Sequence, residues 1–245
     1  MFGQLILMME VFDCARLDSA APILRPDGKV HLWQTFTTDW LSRIEALQDL
    51  LSSIEIDRAG RFHFKRDGLR YIVAHGLLRM PISRYLDIPA DRIEFRSGPF
   101  GKPELQGYHG APAFSFNISH SHELSVFAFS SYQRLGVDVE YIRSMPDFEE
   151  IVGRFFHPKE RAALRSFSLH ERQTAFFDCW TRKEAFVKAT GAGLYRSLDS
   201  FAVPMGSGNE RDFLTLNEGA ATDKQWTFLP LRPARQYTGA VVVGM

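Results

Sequence analysis

Residues 180–194 read WTRKEAFVKATGAGL and are the most informative part of this sequence. They form the second half of a helix predicted from about Glu171 to Ala189, which stops at the glycines of the GAG triplet because glycine commonly ends helices. Glu184 and Lys188 lie one helical turn apart, so an acid and a base share one face. The simpler alternative is a surface ion pair worth a few tenths of a kcal/mol.

Two further carboxylates precede this helix on a predicted strand. Over residues 135–141, apolar side chains alternate with Gly136, Asp138 and Glu140, which is the period of a β-strand. Both carboxylates therefore project to one side, close enough to bind one hard cation, and Glu184 could supply a third. Three carboxylates at one site are costly unless a cation neutralises them, so the set favours Mg²⁺ with a phosphate ligand. Alternatively, Asp138 and Glu140 are a solvated strand face.

The amino-terminal half shows one helical pattern and one strand pair. Apolar residues recur at helical spacing over residues 69–77, and Pro81 could end this helix. Two apolar segments, residues 113–118 and 124–130, then predict antiparallel strands joined by a turn at residues 119–123.

Candidate anion-binding residues surround these elements. The motif FNISHS puts Ser119 and His120 on the predicted turn, where a hydroxyl, an imidazole and free backbone amides can meet a phosphate. Lys102 lies on the Gly/Pro loop FGKP, and Arg58 and Arg70 flank the first helix, so these cations could surround a multiply charged anion. Alternatively, all five are solvated surface residues.

Composition narrows the class of protein. The 245 residues are 45% apolar and 24% charged, which is typical of a soluble globular protein. The 29 basic and 29 acidic residues cancel, so we expect no binding to nucleic acid or to a membrane surface. Cys14 and Cys179 are far apart, which argues against a disulfide framework or zinc site and fits the cytoplasm. The apolar amino end is too short for a signal peptide and predicts an opening strand.

These elements together predict an α/β (α+β) fold with short linkers. Further predicted elements are a helix at residues 158–167 and strands at residues 201–204, 225–229 and 239–243, the last apolar enough to be central. A polar turn at residues 131–134 predicts a boundary between two lobes, residues 1–132 and 133–245.

The ordered set FGKP, FNISHS, GVDVE, FFHPKE and WTRKEAFVKATGAGL resembles the phosphopantetheinyl transferases of the larger, surfactin-synthetase-activating type. These motifs extend over residues 101–194, and a weaker similarity covers residues 58–86. The resemblance implies a monomer of two similar lobes, a pseudo-dimer in which each lobe has a small sheet and packed helices. Coenzyme A and Mg²⁺, or Mn²⁺ in its place, would bind in the cleft between the lobes.

The resemblance also implies roles for individual residues. Glu184 and Lys188 match catalytic residues, and Asp138, Glu140 and Glu184 match metal ligands. The implied contacts to coenzyme A are Arg58, Arg70, Lys102, Ser119, His120, Asp138, Lys183, Glu184 and Lys188.

Two positions depart from the family pattern. Glu55 stands where the family has a lysine near the 3′-phosphate of coenzyme A. Arg58 remains as the matching cation, and Arg70 could take the place of the lysine. His122 stands where many relatives have glycine.

The implied reaction transfers the phosphopantetheine arm of coenzyme A to a serine of an apo acyl or peptidyl carrier protein and releases 3′,5′-ADP. Exposed apolar side chains around residues 148–156 would contact that carrier. Two other functions remain open: a different Mg²⁺-dependent hydrolase or transferase of nucleotide diphosphates, and a non-catalytic module that binds a carrier domain or coenzyme A.

Overall fold

The computed structural model describes residues 8–18, 26–98, 103–107, 114–191, 196–205, 215–216 and 226–244. The predicted mixed α/β fold is confirmed. The α-helices are α1 (Ile44–Gln48), α2 (Ser53–Gly60), α3 (Lys65–Leu86), α4 (Phe148–Phe155), α5 (Pro158–Ser166) and α6 (Leu169–Thr190). The strands are β1 (Met8–Asp13), β2 (Lys29–Phe36), β3 (Phe95–Ser97), β4 (Pro103–Leu105), β5 (Ser115–Ser121), β6 (Leu124–Ser130), β7 (Arg134–Tyr141), β8 (Phe201–Ala202), β9 (Thr215–Leu216), β10 (Trp226–Leu231) and β11 (Tyr237–Gly244). None of the helices described is long and apolar enough to cross a membrane.

The first sheet has the strand order β1-β2-β6-β5. Its predicted hairpin is present as β5 and β6, but the turn is tighter than the sequence indicated. Ser121 pairs with Leu124, so only His122 and Glu123 form the turn, and His122 adopts a positive φ of 52°. Ser119 and His120 therefore lie in β5 and not on the turn. A strand can hold these polar residues because the Ser119 hydroxyl finds partners on a neighbouring strand.

Helix α3 continues past Pro81, where the sequence predicted that it could end. Buried residues lie on both sides of the proline, with Leu77 and Leu78 before it and Ile82 and Tyr85 after it. All four belong to one core, so continuing the helix buries apolar surface that offsets the roughly 3 kcal/mol that an internal proline costs.

The second sheet has the order β10-β11-β7, so β11 is central, as its apolar sequence predicted. Helix α6 packs across it, starting with a capping box at Ser168 and ending at Gly191, which has a φ of +67°. Gly136 of β7 permits close packing of strand and helix. A Cβ atom at this position would lie 2.0 Å from the carbonyl oxygen of Ala185 in α6.

Three clusters of buried side chains form the core. One includes α3 and the first sheet, and a second includes α6 and the second sheet. The third draws on both sheets, with Leu32 and Val126 from one and Val137 and Val241 from the other. The two predicted lobes therefore share buried apolar surface. The division at residues 132 and 133 stays a prediction.

Candidate active site

A cavity of about 830 Å³ is lined by residues from both predicted lobes. Helices α2 and α3 and strand β5 form one side, while β7 and α6 contribute Asp138 and Lys188. The cavity brings together six of the residues predicted to bind coenzyme A: Arg58, Arg70, Ser119, His120, Asp138 and Lys188. Lys102 lies outside the described residues.

Side chains of β5 bridge the two sheets at the cavity. Strand β5 is an edge strand of the first sheet, and β7 is an edge strand of the second. Hydrogen bonds from the backbone of β7 to side chains of β5 join the two strands. Backbone N–H groups of β7 that point away from β11 donate to every second side chain of β5. These bonds run from Val137 to Asn117 Oδ1 (2.9 Å), Val139 to Ser119 Oγ (3.2 Å) and Tyr141 to Ser121 Oγ (3.0 Å). We call this set of bonds the β5–β7 seam.

Asp138 is held on one oxygen and open on the other. Its Oδ1 accepts from the Ser119 hydroxyl at 2.9 Å and from Lys188 Nζ at 2.8 Å. Lys188 also donates to the Val137 carbonyl at 3.1 Å. Among the described residues, Asp138 Oδ2 is buried without a hydrogen-bond partner. A buried carboxylate oxygen normally has a partner, so this atom is available to a ligand.

Glu140 and Glu184 are affected by the same electrostatic environment. Burial raises the pKa of Glu140; the hydrogen bond from Ser121 opposes this rise, and the charge of Asp138 adds to it. Burial also raises the pKa of Glu184, followed by the charge of Asp138, while Lys188 acts in the opposite direction. The charge of Asp138 therefore disfavours ionisation of both glutamates, and the charge of Glu140 adds to this effect on Glu184.

The fit of a metal ion can be judged from these groups. In the part of the chain that the structure describes, no three His, Cys, Asp or Glu side chains lie close enough together to hold a metal ion. Asp138, Glu140 and Glu184 thus share one region without forming a complete coordination shell. Carboxylate oxygens are nevertheless the ligands that a hard cation prefers. Such a cation would bind the unpartnered Asp138 Oδ2 and would favour the ionised form of all three carboxylates.

His120 lies on the cavity wall beside these groups. Desolvation lowers its pKa, followed by the nearby positive charge of Lys188 and contributions from His75 and Arg70. The imidazole is therefore neutral at neutral pH, with one nitrogen able to donate a hydrogen bond and the other able to accept one.

The two predicted arginines, Arg58 and Arg70, also line the cavity. Arg70 donates to Asp67 at 2.9 Å and also pairs with Glu123. The guanidinium of Arg58 lies 5.4 Å from the ring centroid of Tyr71, within the range of a cation–π contact. Arg58 is exposed beside the cavity, whereas two carboxylates already partner Arg70.

Glu55, at the position where the resemblance implies a lysine, has an internal partner. Its carboxylate lies 2.6 Å from Arg79 Nη2 and 3.2 Å from His75 Nδ1, and it completes the capping box of Ser52. Burial acts to raise the pKa of Glu55, but hydrogen bonds from His75, Arg79 and Ser52 hold it well below its ordinary value. Glu55 therefore neutralises Arg79, which is only 1% exposed.

Lys183 lies in the core, in contrast to its predicted contact with coenzyme A. Its Nζ donates to both oxygens of Glu160, at 2.7 and 2.8 Å, and to the Phe201 carbonyl at 2.8 Å. The helical period explains this position, because Lys183 is one residue before Glu184 and so points about 100° away from it.

Residues 148–156 also differ from expectation. Phe156 is fully buried, and the apolar side chains of α4, Phe148, Ile151, Val152 and Phe155, pack against the core around α6. This packing leaves them partly buried, so they do not form the exposed apolar surface that was predicted to contact a carrier protein.

The sequence reasoning missed Asn117 and Ser121, and it gave Glu160 only a helix-start role. A usable signal was present for the first two, because polar residues occupy every second position of FNISHS, which is the period of one strand face.

Comparison with known proteins identifies the class of enzyme. The family described as "4'-phosphopantetheinyl transferase superfamily" matches residues 134–242, and "4'-phosphopantetheinyl transferase, N-terminal" matches residues 31–132. The 4'-phosphopantetheinyl transferase HetI of Nostoc sp. is 34% identical over 88% of this chain and 87% of its own length. The 4'-phosphopantetheinyl transferase Sfp of Bacillus subtilis is 34% identical over 65% of this chain and 68% of its own length.

A mouse protein is also similar. The L-aminoadipate-semialdehyde dehydrogenase-phosphopantetheinyl transferase of Mus musculus is 32% identical over 66% of this chain and 54% of its own length. This chain belongs to the 4'-phosphopantetheinyl transferase family. The family and the transferase class predicted from the sequence are therefore confirmed.

Proposed function

We propose that this chain transfers the 4′-phosphopantetheine moiety of coenzyme A to a serine of an apo acyl or peptidyl carrier protein. The observation that carries this proposal is the wall of the cavity at Asp138, where one carboxylate oxygen is open and the other is held by Ser119 and Lys188. The cationic side chains Arg58 and Arg70 in the cavity lining suit the phosphates of a nucleotide. The enzyme acts as a cytoplasmic monomer.

The reaction is a phosphoryl-type displacement. The serine oxygen of the carrier protein attacks the phosphorus that bears pantetheine, the bond from that phosphorus to the bridging oxygen breaks, and 3′,5′-ADP leaves. Glu184 accepts the serine proton, directly or through a water molecule. Burial favours this role, because the same desolvation that raises the pKa of Glu184 makes it a stronger base than an exposed glutamate.

Asp138, Glu140 and Glu184 would hold Mg²⁺, and Mn²⁺ could replace it. When bound, the ion supplies positive charge to the diphosphate of coenzyme A. Lys188 contributes a further charge from the same side of the cavity, where it now donates to Asp138 and the Val137 carbonyl. Arg58 and His120 contact the nucleotide portion from the amino-terminal side, with Arg70 orienting the surrounding carboxylates.

The test is intact mass spectrometry of apo acyl and peptidyl carrier proteins after incubation with coenzyme A, Mg²⁺ and the enzyme. We expect a gain of one phosphopantetheine arm that disappears with a chelator and with Glu184→Gln. Glu171→Gln, at the exposed start of the same helix, is the matched control and should retain activity.

Two other outcomes would overturn the proposal. Release of 3′,5′-ADP without any gain of carrier mass would indicate hydrolysis of the nucleotide diphosphate. Binding of coenzyme A with neither product, on carriers of every type, would indicate a binding module.

A further inference from the structure

Ser119 and Ser121 make the same pair of hydrogen bonds, two residues apart along β5. Ser119 Oγ accepts from the Val139 N–H and donates to Asp138. Ser121 Oγ accepts from the Tyr141 N–H at 3.0 Å and donates to Glu140 Oε2 at 2.8 Å. In both cases a serine of the first sheet donates to a carboxylate of the second sheet. The same serine accepts from the backbone N–H of the residue that follows the carboxylate residue in the sequence.

The direction of each hydroxyl group is fixed by this arrangement. A serine hydroxyl has one hydrogen to donate and two lone pairs that accept. Because the Tyr141 N–H occupies one lone pair of Ser121, the hydrogen is free to point at Glu140. Ser121 is only 9% exposed, so water does not readily replace either partner. The Glu140 carboxylate is therefore oriented through Ser121.

The third bond of the β5–β7 seam, at Asn117, shows that the two serines do more than accept hydrogen bonds from the N–H groups of β7. Asn117 accepts from the Val137 N–H, and the residue before Val137 is Gly136, which has no carboxylate. An amide oxygen suffices at that position. Serines occur at the two positions where a carboxylate must also receive a hydrogen bond.

We infer that Ser121 is a positioning residue that holds Glu140 for the metal ion, as Ser119 does for Asp138. This inference rests on the proposed function, because it assumes that these carboxylates bind a metal. Hydrogen bonds from neighbouring groups to metal-binding carboxylates typically change metal affinity about 10- to 100-fold when removed. The amino-terminal sheet thereby sets the geometry of a metal site whose ligands all lie in the carboxyl-terminal half.

The test is direct measurement of Mn²⁺ binding by electron paramagnetic resonance, without coenzyme A or a carrier protein. We expect Ser121→Ala to weaken binding at least about 10-fold. Ser121→Thr keeps the hydroxyl and should restore most of the affinity. Ser115→Ala is the matched control, because Ser115 lies on the same strand and donates to the Tyr132 carbonyl instead of a carboxylate.

A double-mutant cycle checks that Ser121 acts through Glu140. In a Glu140→Gln background, Ser121→Ala should have little further effect on Mn²⁺ affinity. Amide hydrogen exchange supplies a readout that needs no metal: Ser121→Ala should accelerate exchange at Tyr141 and leave Val137 unchanged. Should Ser121→Ala not fold, Ser121→Cys, whose thiol is a weak donor and acceptor, is expected to change affinity in the same direction.

The inference is overturned if Ser121→Ala binds Mn²⁺ as the unmodified protein does, or if exchange at Tyr141 does not change. It is equally overturned if the unmodified protein binds no Mn²⁺. A protein that shows the expected Mn²⁺ series but modifies no carrier protein would contradict the proposed function and leave the role of Ser121 intact.

Discussion

Lys183 Nζ lies 2.7 Å from Glu160 Oε1 in the core beneath α6, and the two side chains are 0% and 1% exposed. The same carboxylate accepts from the His157 N–H at the start of α5 and from the Val203 N–H after β8, each at 2.8 Å. One buried ion pair therefore joins three segments of the chain that are distant in sequence.

Replacing Glu160 should strongly destabilise the protein. Glu160→Gln leaves the Lys183 charge buried without a counter-charge, so we expect the free energy of unfolding to fall by about 3–5 kcal/mol. Urea unfolding followed by circular dichroism measures this change. Glu160→Met combined with Lys183→Met removes both charges and should recover part of the loss, because the His157 and Val203 N–H groups still lose their acceptor. An unchanged unfolding midpoint in Glu160→Gln would contradict this account of the pair.

Replacing the carboxylates on the cavity side should affect turnover. Glu184→Gln and Asp138→Ala should each lower turnover by at least about 100-fold, since one removes the proton acceptor and the other removes the partner of Ser119 and Lys188. Carrier mass gain against time measures the rate, with Glu171→Gln as the control. Near-normal turnover in either purified, folded variant would refute its role.

The raised pKa values of Glu140 and Glu184 predict how stability depends on pH. With a chelator present, a glutamate whose pKa is raised by folding stabilises the native state fully at pH values below its ordinary pKa of 4.5. This contribution to stability is lost as the pH rises through the pKa of the folded state. In Glu184→Gln the replacing side chain carries no charge at any pH. The variant should therefore have a higher Tm than the unmodified protein at pH 7.5, and the difference should shrink towards pH 4.5.

Paired thermal melts in chelator across this range measure the difference, because groups common to both proteins cancel. Adding Mg²⁺ at pH 7.5 should raise the Tm of the unmodified protein more than that of Glu184→Gln. A Tm difference independent of pH would contradict the assignment of the raised pKa to burial of Glu184.

A methyl group at Gly136 should separate the strand and helix that carry the site. In Gly136→Ala the new Cβ atom would meet the Ala185 carbonyl oxygen at 2.0 Å and the Ala189 nitrogen at 2.5 Å, both backbone atoms of α6. We expect lower stability together with a loss of turnover, measured by thermal melts and carrier mass gain. Gly153→Ala on α4 is the control: its Cβ meets nothing within 4 Å, and it should be neutral or slightly stabilising.

Local patterns predicted much of the carboxyl-terminal half. The alternation over residues 135–141 gave β7, and the glycine at residue 191 gave the end of α6. Strand β11 was placed at the centre of its sheet because it is apolar on both faces. These signals are local in sequence, so no knowledge of tertiary contacts was needed.

The remaining features depend on contacts between distant residues. The continuation of α3 through Pro81 depends on a core that forms only when the first sheet packs against it. The position of Ser119 in a strand depends on Asp138 and Val139, which belong to another sheet. Lys183 was placed in the cleft by family resemblance, and its burial follows from Glu160, which is 23 positions away.

The shared core between the two sheets bears on how the molecule folds. Leu32 and Val126 of the first sheet are buried against Val137 and Val241 of the second, so neither sheet can complete its packing without the other. A lobe expressed alone would present this apolar face to water and tend to aggregate. The two predicted lobes should consequently unfold in one cooperative transition, with equal calorimetric and van't Hoff enthalpies.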